Sequence, residues 1–295
     1  MAEVPVHIDG RTLTLSNLEK VLYPESGFTK AQVVDYYVRI APVILPHLRG
    51  RPLTLVRYPD GVAGKSFFEK RRPPSAPDWV ETGGELGSVL CDEPATLVWL
   101  ANLAALELHT HQHTVSAPDL PTAVVLDLDP GPPAGVLDCA RVALDVRSVL
   151  DRLGLVSVVK TSGSKGLHLS IPIARGSADD DATKGFALAL GRLLAETAPK
   201  RVTVAMAKDH RGGKVFVDWS QNDRHKTTVA AYSLRARPQP TVSTPVSWSE
   251  VEAALDEDAP GRLTFTTAEA LARVADHGDL YAANLDSEQV LPTLA

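Results

Sequence analysis

The residues best suited to chemistry in this 295-residue sequence are two aspartates separated by one residue, Asp127 and Asp129. They end an apolar run, and because side chains alternate along a strand, both carboxylates are expected on one face. Pro130 and Gly131 follow at once and end the strand. Two carboxylates this close repel each other, and a divalent cation that prefers oxygen ligands removes the conflict. The pattern predicts a metal site; the alternative is one aspartate that caps a helix beside a solvated one.

A Gly/Ser-rich loop lies between two predicted strands in segment 160–169. Its glycines allow close backbone approach, and Ser162, the neighbouring hydroxyl and the main-chain N–H groups can surround an anion. Lys165 supplies a point charge for phosphate, and His168 can donate to one. The alternative is an ordinary hairpin loop. The nucleotide-binding P-loop is excluded, because the glycine spacing differs and a strand follows instead of a helix.

A third carboxylate, Asp218, ends another apolar strand, where it could also simply begin a turn. Together with Asp127 and Asp129 it makes a set of three acids. Three carboxylates and two metal ions are the usual arrangement for in-line nucleotidyl transfer. One ion lowers the pKa of a primer 3′-hydroxyl, and the other neutralises the triphosphate and the leaving pyrophosphate. Nucleotidyl transfer with two ions is therefore the predicted reaction.

The elements that must position these residues alternate between strands and helices. Strands are predicted at 4–8, 12–15, 53–58, 66–69, 107–115, 123–128, 156–160, 167–173, 202–206 and 215–219. Helices are predicted from Thr29 onward and at 94–106, 136–153, 182–197, 248–255 and 268–277. The predicted fold class is therefore mixed α/β.

Composition limits the other possibilities. Apolar residues make up 44% of the chain, enough for a large core, and no apolar run reaches the length of a membrane span. The first residues lack the features of a secretory signal, and two cysteines without metal spacing are typical of a reduced, cytoplasmic protein. The net charge of −6 excludes a nucleic-acid coat over the whole surface but allows a local basic cleft. Alternating His109, His111 and His113 lack a fourth ligand nearby, which argues against a zinc site.

The three motifs, in this order, resemble the catalytic set of the archaeo-eukaryotic primase superfamily. The chain most resembles the polymerase domain of bacterial ATP-dependent DNA ligase D and its free-standing relatives, from about residue 15 to 247. Further segments that carry the resemblance are 17–24, 51–57, 67–70, 107–109, 221–222 and 228–235. It implies a primase-polymerase core with mixed β-sheets flanked by helices and an N-terminal α/β extension. We expect a single domain over 1–295, with a DNA-binding portion at about 1–115, a catalytic core at 116–240 and a helical portion at 241–295.

The resemblance also implies roles for individual residues. The catalytic residues and metal ligands would be Asp127, Asp129 and Asp218, with two ions, Mn²⁺ or Mg²⁺. The incoming nucleotide would be bound by His109, Ser162, Lys165, His168 and Arg235. The 5′-phosphate across a gap or break would be bound by Lys20 and Lys30, with surface lysines as the alternative. Template and backbone contacts would come from Arg57, Phe67, Phe68, Lys70 and Gln221, with one phenylalanine in the core as the alternative.

What the resemblance implies about function is a metal-dependent, template-directed DNA/RNA polymerase that fills short gaps or extends ends in bacterial DNA repair. Its partners would be gapped or broken DNA at the nucleoid, NTPs or dNTPs, and a DNA ligase with other repair proteins in trans, with no membrane. Ribonucleotides and 5′-phosphorylated gaps would be preferred. The chain departs from the family at Trp219, usually Tyr, and in the loop 223–226, often Gly-rich, so contacts from that loop are in doubt.

Several questions stay open at this stage. End joining and excision-repair gap filling use the same site chemistry. The 295 residues contain no ligase or nuclease motif, so we expect either a free-standing polymerase or an excised domain. Two alternative functions are a haloacid-type phosphatase, which also uses Asp-x-Asp after a strand, and a non-catalytic scaffold that bridges DNA ends. The loop at 162–168 suits the phosphatase poorly, and clustered acids are costly in a DNA groove without metal.

Overall fold

The structure is a computed structural model, and it describes residues 3–292. The chain forms two compact units, each built from three stretches of sequence. The first unit contains residues 3–116, 229–243 and 265–278. The second unit contains residues 117–228, 244–264 and 279–292. Within the described residues no helix combines the length and the apolar character that crossing a bilayer would require.

Helices and strands are both abundant in the described part of the chain, which confirms the mixed α/β class. The helices are α1 (Lys30–Leu48), α2 (Pro94–Asn102), α3 (Val136–Arg152), α4 (Asp180–Thr197), α5 (Trp248–Asp256) and α6 (Thr267–His277). The strands as far as the Asp-x-Asp motif are β1 (Glu3–Ile8), β2 (Arg11–Ser16), β3 (Val21–Tyr23), β4 (Phe28–Thr29), β5 (Leu53–Arg57), β6 (Phe67–Glu69), β7 (Thr82–Gly83), β8 (Ser88–Val89), β9 (Ala105–Thr110) and β10 (Ala123–Pro130). The remaining strands are β11 (Val158–Thr161), β12 (Leu167–Pro172), β13 (Val202–Thr203), β14 (Val215–Asp218), β15 (Thr228–Val229), β16 (Leu234–Ala236), β17 (Pro240–Val242) and β18 (Pro245–Val246).

The first unit is organised around β5, which pairs antiparallel with β6 on one side and β9 on the other. Helix α1 begins where the sequence predicts: Thr29 accepts a hydrogen bond from the main chain of Gln32, whose side chain bonds back to Thr29. Helix α1 contacts α2 and α6, and its apolar residues at helical spacing are all buried: Val33, Val34, Tyr37, Ile40, Ala41 and Ile44. The strands predicted at 4–8 and 12–15 are confirmed as β1 and β2, which form an antiparallel hairpin around Asp9-Gly10.

Three predicted elements are too long. The helix predicted over 94–106 ends at Asn102, because Ala104 adopts a left-handed φ of 54° and the chain enters β9. The extended segment predicted over 107–115 is a strand only as far as Thr110, so His111 and His113 lie beyond it. The strand predicted over 202–206 is reduced to Val202–Thr203, which pairs parallel with β14.

The second unit contains a six-stranded sheet in the order β13-β14-β10-β12-β11-β18. Only the β13–β14 pair is parallel; the other four neighbouring pairs are antiparallel. Helices α3 and α4 both contact β10. The Cys139 thiol of α3 donates to the carbonyl of Leu128, and Gly191 of α4 lies against Val217 of β14. The two helices thus cover the face that carries Leu128 and Val217.

Burial along β10 confirms the alternation that the sequence predicts. Leu126 and Leu128 are completely buried, while Asp127 and Asp129 between and after them are partly exposed. Because side chains alternate between the faces of a strand, the aspartates point away from the leucines. The packed core on one side of the sheet therefore fixes the strand that presents the carboxylates on the other.

Candidate active site

Three aspartates lie on one face of the six-stranded sheet, which we call the carboxylate face. In the antiparallel pair β10–β14, Asp127 is directly opposite Asp218. Asp129 lies two residues further along β10 and therefore on the same face. Directly opposed residues of such a pair have Cβ atoms about 4.5–5.5 Å apart. The carboxylates that the sequence predicts as a set are thus neighbours in the sheet.

Two of these carboxylates have identified partners, local in sequence for Asp218 and distant for Asp129. The Asp218 carboxylate accepts hydrogen bonds from the main-chain N–H and the hydroxyl of Ser220, at 3.0 and 2.6 Å. It also accepts one from the side-chain amide of Gln221, at 2.8 Å, a contact that the sequence analysis does not predict. A guanidinium nitrogen of Arg211 lies 3.8 Å from an oxygen of Asp129. These donors and this cation stabilise negative charge on the carboxylate face.

The donor set of the carboxylate face suits a hard divalent cation, since all three aspartates offer carboxylate oxygens. Within residues 3–292 no three His, Cys, Asp or Glu side chains are already arranged to hold a metal ion. The Asp127 and Asp129 side chains are 26% and 55% exposed, so an ion can reach both from solvent. The pairing of β10 with β14 thus holds the three residues on one face of the sheet.

His168 continues the row of polar residues on the next strand. It lies on β12 directly opposite Asp127, with its Nε2 atom 3.4 Å from an oxygen of that carboxylate. Lys160 lies on β11 directly opposite His168, with its Nζ atom 3.2 Å from the ring Nδ1 atom. Both Lys160 and His168 are buried. The carboxylate face therefore carries a line of four polar side chains across four strands.

The loop between β11 and β12 is held together by Ser162. Its hydroxyl oxygen accepts hydrogen bonds from the main-chain N–H groups of Ser164 and Gly166, at 3.2 and 3.1 Å. A Cβ atom on Gly166 would lie 1.9 Å from the carbonyl oxygen of Leu128, so only glycine fits there. Lys165 is exposed at the tip of the loop. The predicted phosphate-binding loop thus has a tight backbone, a buried Ser162 and a solvent-accessible cation.

In the first unit, the buried carboxylate of Glu107 connects two residues that the sequence analysis assigns to the nucleotide. One oxygen lies 3.0 Å from His109 Nε2, and the other accepts from Arg235 Nε at 3.1 Å and from the main-chain N–H of Ala236 at 3.0 Å. Burial acts to raise the pKa of Glu107, but the hydrogen bond from His109 and the charge of Arg235 outweigh it and lower the pKa to about 2. Glu107 is therefore a carboxylate that holds His109 and Arg235 in place.

The residues predicted to bind a 5′-phosphate form a cationic group in the first unit. Lys30 is buried, and its Nζ atom donates to the carbonyl of Ser16 at 2.6 Å. Its pKa is lowered to about 8 by burial and by the charges of Lys20 and Arg57. Lys20 pairs with the exposed carboxylate of Asp60 at 2.8 Å. The charges of Lys20 and Arg57 thus lie close enough to lower the pKa of Lys30, and a group of three cations suits a bound anion.

Four of the five residues predicted to contact the template or its backbone lie on and beside β6, and the fifth, Gln221, is bonded to Asp218. Phe67 and Phe68 are 43% and 68% exposed, so neither side chain is part of the core, although they point to opposite faces of the strand. The Arg57 guanidinium lies 5.1 Å from the centre of the Phe67 ring and forms an ion pair with Glu69 at 2.8 Å. Lys70 follows and is also exposed. Exposed aromatic rings next to cations are typical of surfaces that support unpaired bases.

Glu107, Lys160 and Arg211 are among the side chains in these groups that have no role in the sequence analysis. Glu107 belongs to a motif that carries the resemblance, and it alternates with His109, which is a usable signal. Lys160 is a lone lysine on an otherwise apolar strand, and its spacing from His168 across a short loop suits a hairpin pair. Arg211 lies in a basic stretch, but nothing local in the sequence indicates its proximity to Asp129.

Comparison with known proteins decides the family. A family model described as "LigD, primase-polymerase domain" matches residues 29–281. The chain belongs to the LigD primase-polymerase family. It is therefore a nucleotidyltransferase-type enzyme of a metal-dependent family, and the haloacid-type phosphatase alternative is wrong.

Individual members of the LigD primase-polymerase family show how far the similarity extends. The chain is 42% identical over 276 residues to the multifunctional non-homologous end joining protein LigD of Mycolicibacterium smegmatis, covering 91% of this chain and 35% of that protein. It is 31% identical to the bifunctional non-homologous end joining protein LigD of Bacillus subtilis, covering 85% of this chain and 41% of that protein. The chain thus spans well under half the length of these relatives.

A solved structure confirms the predicted primase-polymerase fold. The polymerase domain from Mycobacterium tuberculosis ligase D, in complex with DNA, matches with a TM-score of 0.85 at 39% sequence identity. The match covers 92% of this chain and 98% of that one. The resemblance stated from sequence motifs is therefore confirmed in both sequence and fold.

Proposed function

We propose that this chain is a template-directed DNA/RNA polymerase that fills short gaps or extends ends during bacterial non-homologous end joining. The observation that carries the proposal is the placement of Asp127 opposite Asp218, with Asp129 on the same face, in a member of the LigD primase-polymerase family. End joining is favoured over excision repair because the similar full-length proteins are named for it. DNA is the proposed partner, since the similar solved domain is in complex with DNA.

In the proposed mechanism, Asp127, Asp129 and Asp218 would hold two divalent cations, Mn²⁺ or Mg²⁺. When bound, such ions lower the pKa of a primer 3′-hydroxyl and neutralise the triphosphate. Ser162 keeps the loop compact, Lys165 supplies positive charge to the phosphates, and His168 donates a hydrogen bond to one of them. Each of these residues acts mainly by positioning and by electrostatic stabilisation, which is the main protein contribution to phosphoryl and nucleotidyl transfer.

The residues of the first unit would position the other parts of the substrates. His109 and Arg235, held by Glu107, would contact the incoming nucleotide, with a preference for ribonucleotides. Lys20 and Lys30 would bind the 5′-phosphate across the gap, which relieves the repulsion among their charges. Phe67 and Phe68 would stack on template bases, and Arg57, Lys70 and Gln221 would contact the template strand. A DNA ligase acting in trans, or as another part of a longer protein, would seal the product.

Primer extension on a gapped duplex with a 5′-phosphate tests this function. Wild type, the Asp127→Ala/Asp129→Ala double variant and Asp145→Ala are compared with Mn²⁺ or Mg²⁺ and with ribo- or deoxyribonucleotides. Asp145 is a matched control, because its carboxylate is 41% exposed and pairs only at the surface with Arg201. Extension by wild type and Asp145→Ala but not by the double variant is the expected result, with DNA affinity retained in all three.

Two outcomes of this experiment would contradict the proposal. Extension by the double variant at the wild-type rate would remove the aspartates from the chemistry. Tight binding of the gap by wild type, without extension under any metal and nucleotide, would favour the end-bridging scaffold. A 5′-phosphate that never alters wild-type affinity would remove the role proposed for Lys20 and Lys30.

A further inference from the structure

Asn222 is a buried polar residue that the proposed mechanism does not use. Only 2% of it is exposed, and its side-chain amide contacts the main chain of Val125 on β10. The Val125 N–H group donates to the Oδ1 atom, and the Nδ2 atom donates to the Val125 carbonyl, both at 2.7 Å. A side-chain amide that exchanges two hydrogen bonds with one residue reproduces the pattern of two opposed residues in an antiparallel sheet.

This exchange lies where the pairing of β10 with β14 ends. The last opposed residues are Asp127 and Asp218, and β14 would need two more residues to reach Val125. The chain instead turns into a short helix at Trp219–Gln221. Main-chain groups left buried and unpaired at Val125 would be costly. Asn222 therefore continues the ladder of hydrogen bonds by means of its side chain.

The turn that Asn222 closes also carries the donors of Asp218. The Nδ2 atom and the main-chain N–H group of Asn222 both donate to the Trp219 carbonyl, at 3.0 and 3.3 Å. Two other residues of this turn donate to the Asp218 carboxylate. The Asn222 amide thus connects the turn that orients Asp218 to the main chain of β10 two residues before Asp127.

We infer that Asn222 is a positioning residue that sets the separation of Asp127 and Asp218, and thereby the affinity of the carboxylate face for divalent cations. The inference rests on the proposed function, in which these aspartates hold the metal ions. Strands β10 and β14 pair over only four residues each, so an attachment at the end of this pairing limits how far the two carboxylates can move apart. Residues that orient metal ligands typically change metal affinity or activity by about 10- to 100-fold when they are replaced.

Loss of the Asn222 amide should weaken metal binding more than it weakens the activity of the metal-loaded enzyme. Without the amide, the turn can move relative to β10, and Asp218 can leave its place opposite Asp127. Bringing the carboxylates together again then costs part of the binding free energy, which lowers metal affinity on the order of tenfold. At saturating metal the carboxylates are held together, so kcat should return close to the wild-type value. A general loss of folding would instead lower activity at every metal concentration.

Three variants separate this role from a structural one. Asn222→Ala removes both hydrogen bonds to Val125, and Asn222→Ser keeps a small hydroxyl and leaves room for a water molecule at the main-chain groups. Gln289→Ala is the matched control, because the Gln289 amide exchanges the same pair of hydrogen bonds with the main chain of Val156, both at 2.9 Å. Val156 lies before β11, outside the sheet.

Binding of Mn²⁺ alone is measured by electron paramagnetic resonance, from the loss of the free-ion signal, with Asp127→Ala/Asp129→Ala as the baseline. Gap filling is measured over a series of Mn²⁺ concentrations at saturating nucleotide and DNA. In Asn222→Ala, the Mn²⁺ dissociation constant and the Mn²⁺ concentration for half-maximal activity should both rise on the order of tenfold, with kcat restored at saturating Mn²⁺. The rise should be smaller in Asn222→Ser and absent in Gln289→Ala.

Several results would overturn the inference. They are an unchanged Mn²⁺ dissociation constant in Asn222→Ala, an equal rise in Gln289→Ala, or a loss of activity in Asn222→Ala that excess Mn²⁺ does not restore. If Asn222→Ala does not fold, Asn222→Ser decides by the same two measurements.

Failure of the proposed function is a separate outcome. If wild type extends no primer, the proposed polymerase fails, while Mn²⁺ binding by the Asn222 variants still decides whether Asn222 positions the aspartates. If wild type binds Mn²⁺ no better than Asp127→Ala/Asp129→Ala, the carboxylate face holds no ion and the inference is overturned.

Discussion

Replacing Glu107 by glutamine removes the charge that holds His109 and Arg235 together in the first unit. The lowering of the carboxyl pKa from an ordinary 4.5 to about 2 measures how strongly the fold favours the charged form. This difference corresponds to about 3 kcal/mol of stability at neutral pH. The Glu107 side chain is only 9% exposed, so solvent weakens these interactions little. Glu107→Gln should therefore lose about 3 kcal/mol at pH 7.

The sign of the pH dependence follows from the lowered pKa. A carboxyl group whose pKa is lower in the folded state than in the unfolded state stabilises the fold. This contribution is complete at pH values above the pKa of the unfolded state, and it is lost as the pH falls through the pKa of the folded state. The stability that Glu107 contributes is therefore lost as the pH falls from about 4.5 to about 2. Glutamine does not titrate, so the stability difference between wild type and Glu107→Gln should be full at pH 7 and should narrow toward about pH 3.

Urea unfolding at a series of pH values measures this difference. Glu93→Gln is the control, since Glu93 belongs to the same unit and forms a partly exposed ion pair with Arg11, which should contribute about 0.2–1 kcal/mol. The reasoning is refuted if Glu107→Gln is no less stable than Glu93→Gln at pH 7. It is also refuted if the deficit stays constant down to about pH 3.

Three further predictions follow from other contacts. Burial and neighbouring cations lower the pKa of Lys30 to about 8, so the preference for binding 5′-phosphorylated over 5′-hydroxyl gaps should decline above about pH 8. Lys30→Met should abolish this decline, as measured by fluorescence anisotropy. Asp60→Asn should increase the same preference about two- to threefold, because Lys20 loses a competing carboxylate at the surface; an unchanged affinity ratio would contradict this. Gly166→Ala should abolish primer extension, because its Cβ atom would lie 1.9 Å from a carbonyl oxygen of β10. The control Gly185→Ala places a Cβ atom in open space on α4 and should raise the free energy of unfolding by about 0.5–1 kcal/mol.

The parts of the site that could be predicted from sequence are those with a local period. Alternation within β10 predicts that Asp127 and Asp129 share a face, and the structure has the neighbouring leucines buried on the other. Thr29, a residue type that favours N-caps, predicts the start of α1 to the residue, and the structure adds the reciprocal bond from Gln32. In both cases the information lies within a few residues, and the physical rule concerns a single strand or helix.

The parts that sequence reasoning missed depend on register or on distant partners. Asp218 is grouped with Asp127 from sequence, but their register is not predicted, because no local pattern fixes the pairing of β10 with β14. Glu107 and Arg235 are separated by 128 positions in sequence, so neither reveals the other. Helix α2 was predicted too long because Ala104, whose residue type rarely adopts a left-handed conformation, ends it without a glycine or proline signal.

The division of each unit into three separate stretches of chain has a consequence for synthesis on the ribosome. The first unit is not complete until residues 265–278 have been added, and the second needs residues 279–292. An N-terminal domain usually folds while the next domain is still being synthesised. This chain cannot fold in that order, because neither unit is made of one continuous stretch. Residues 3–116 must stay only partly folded while more than half of the sequence is translated. The nascent chain should thus depend on chaperones until residues 279–292 have left the exit tunnel.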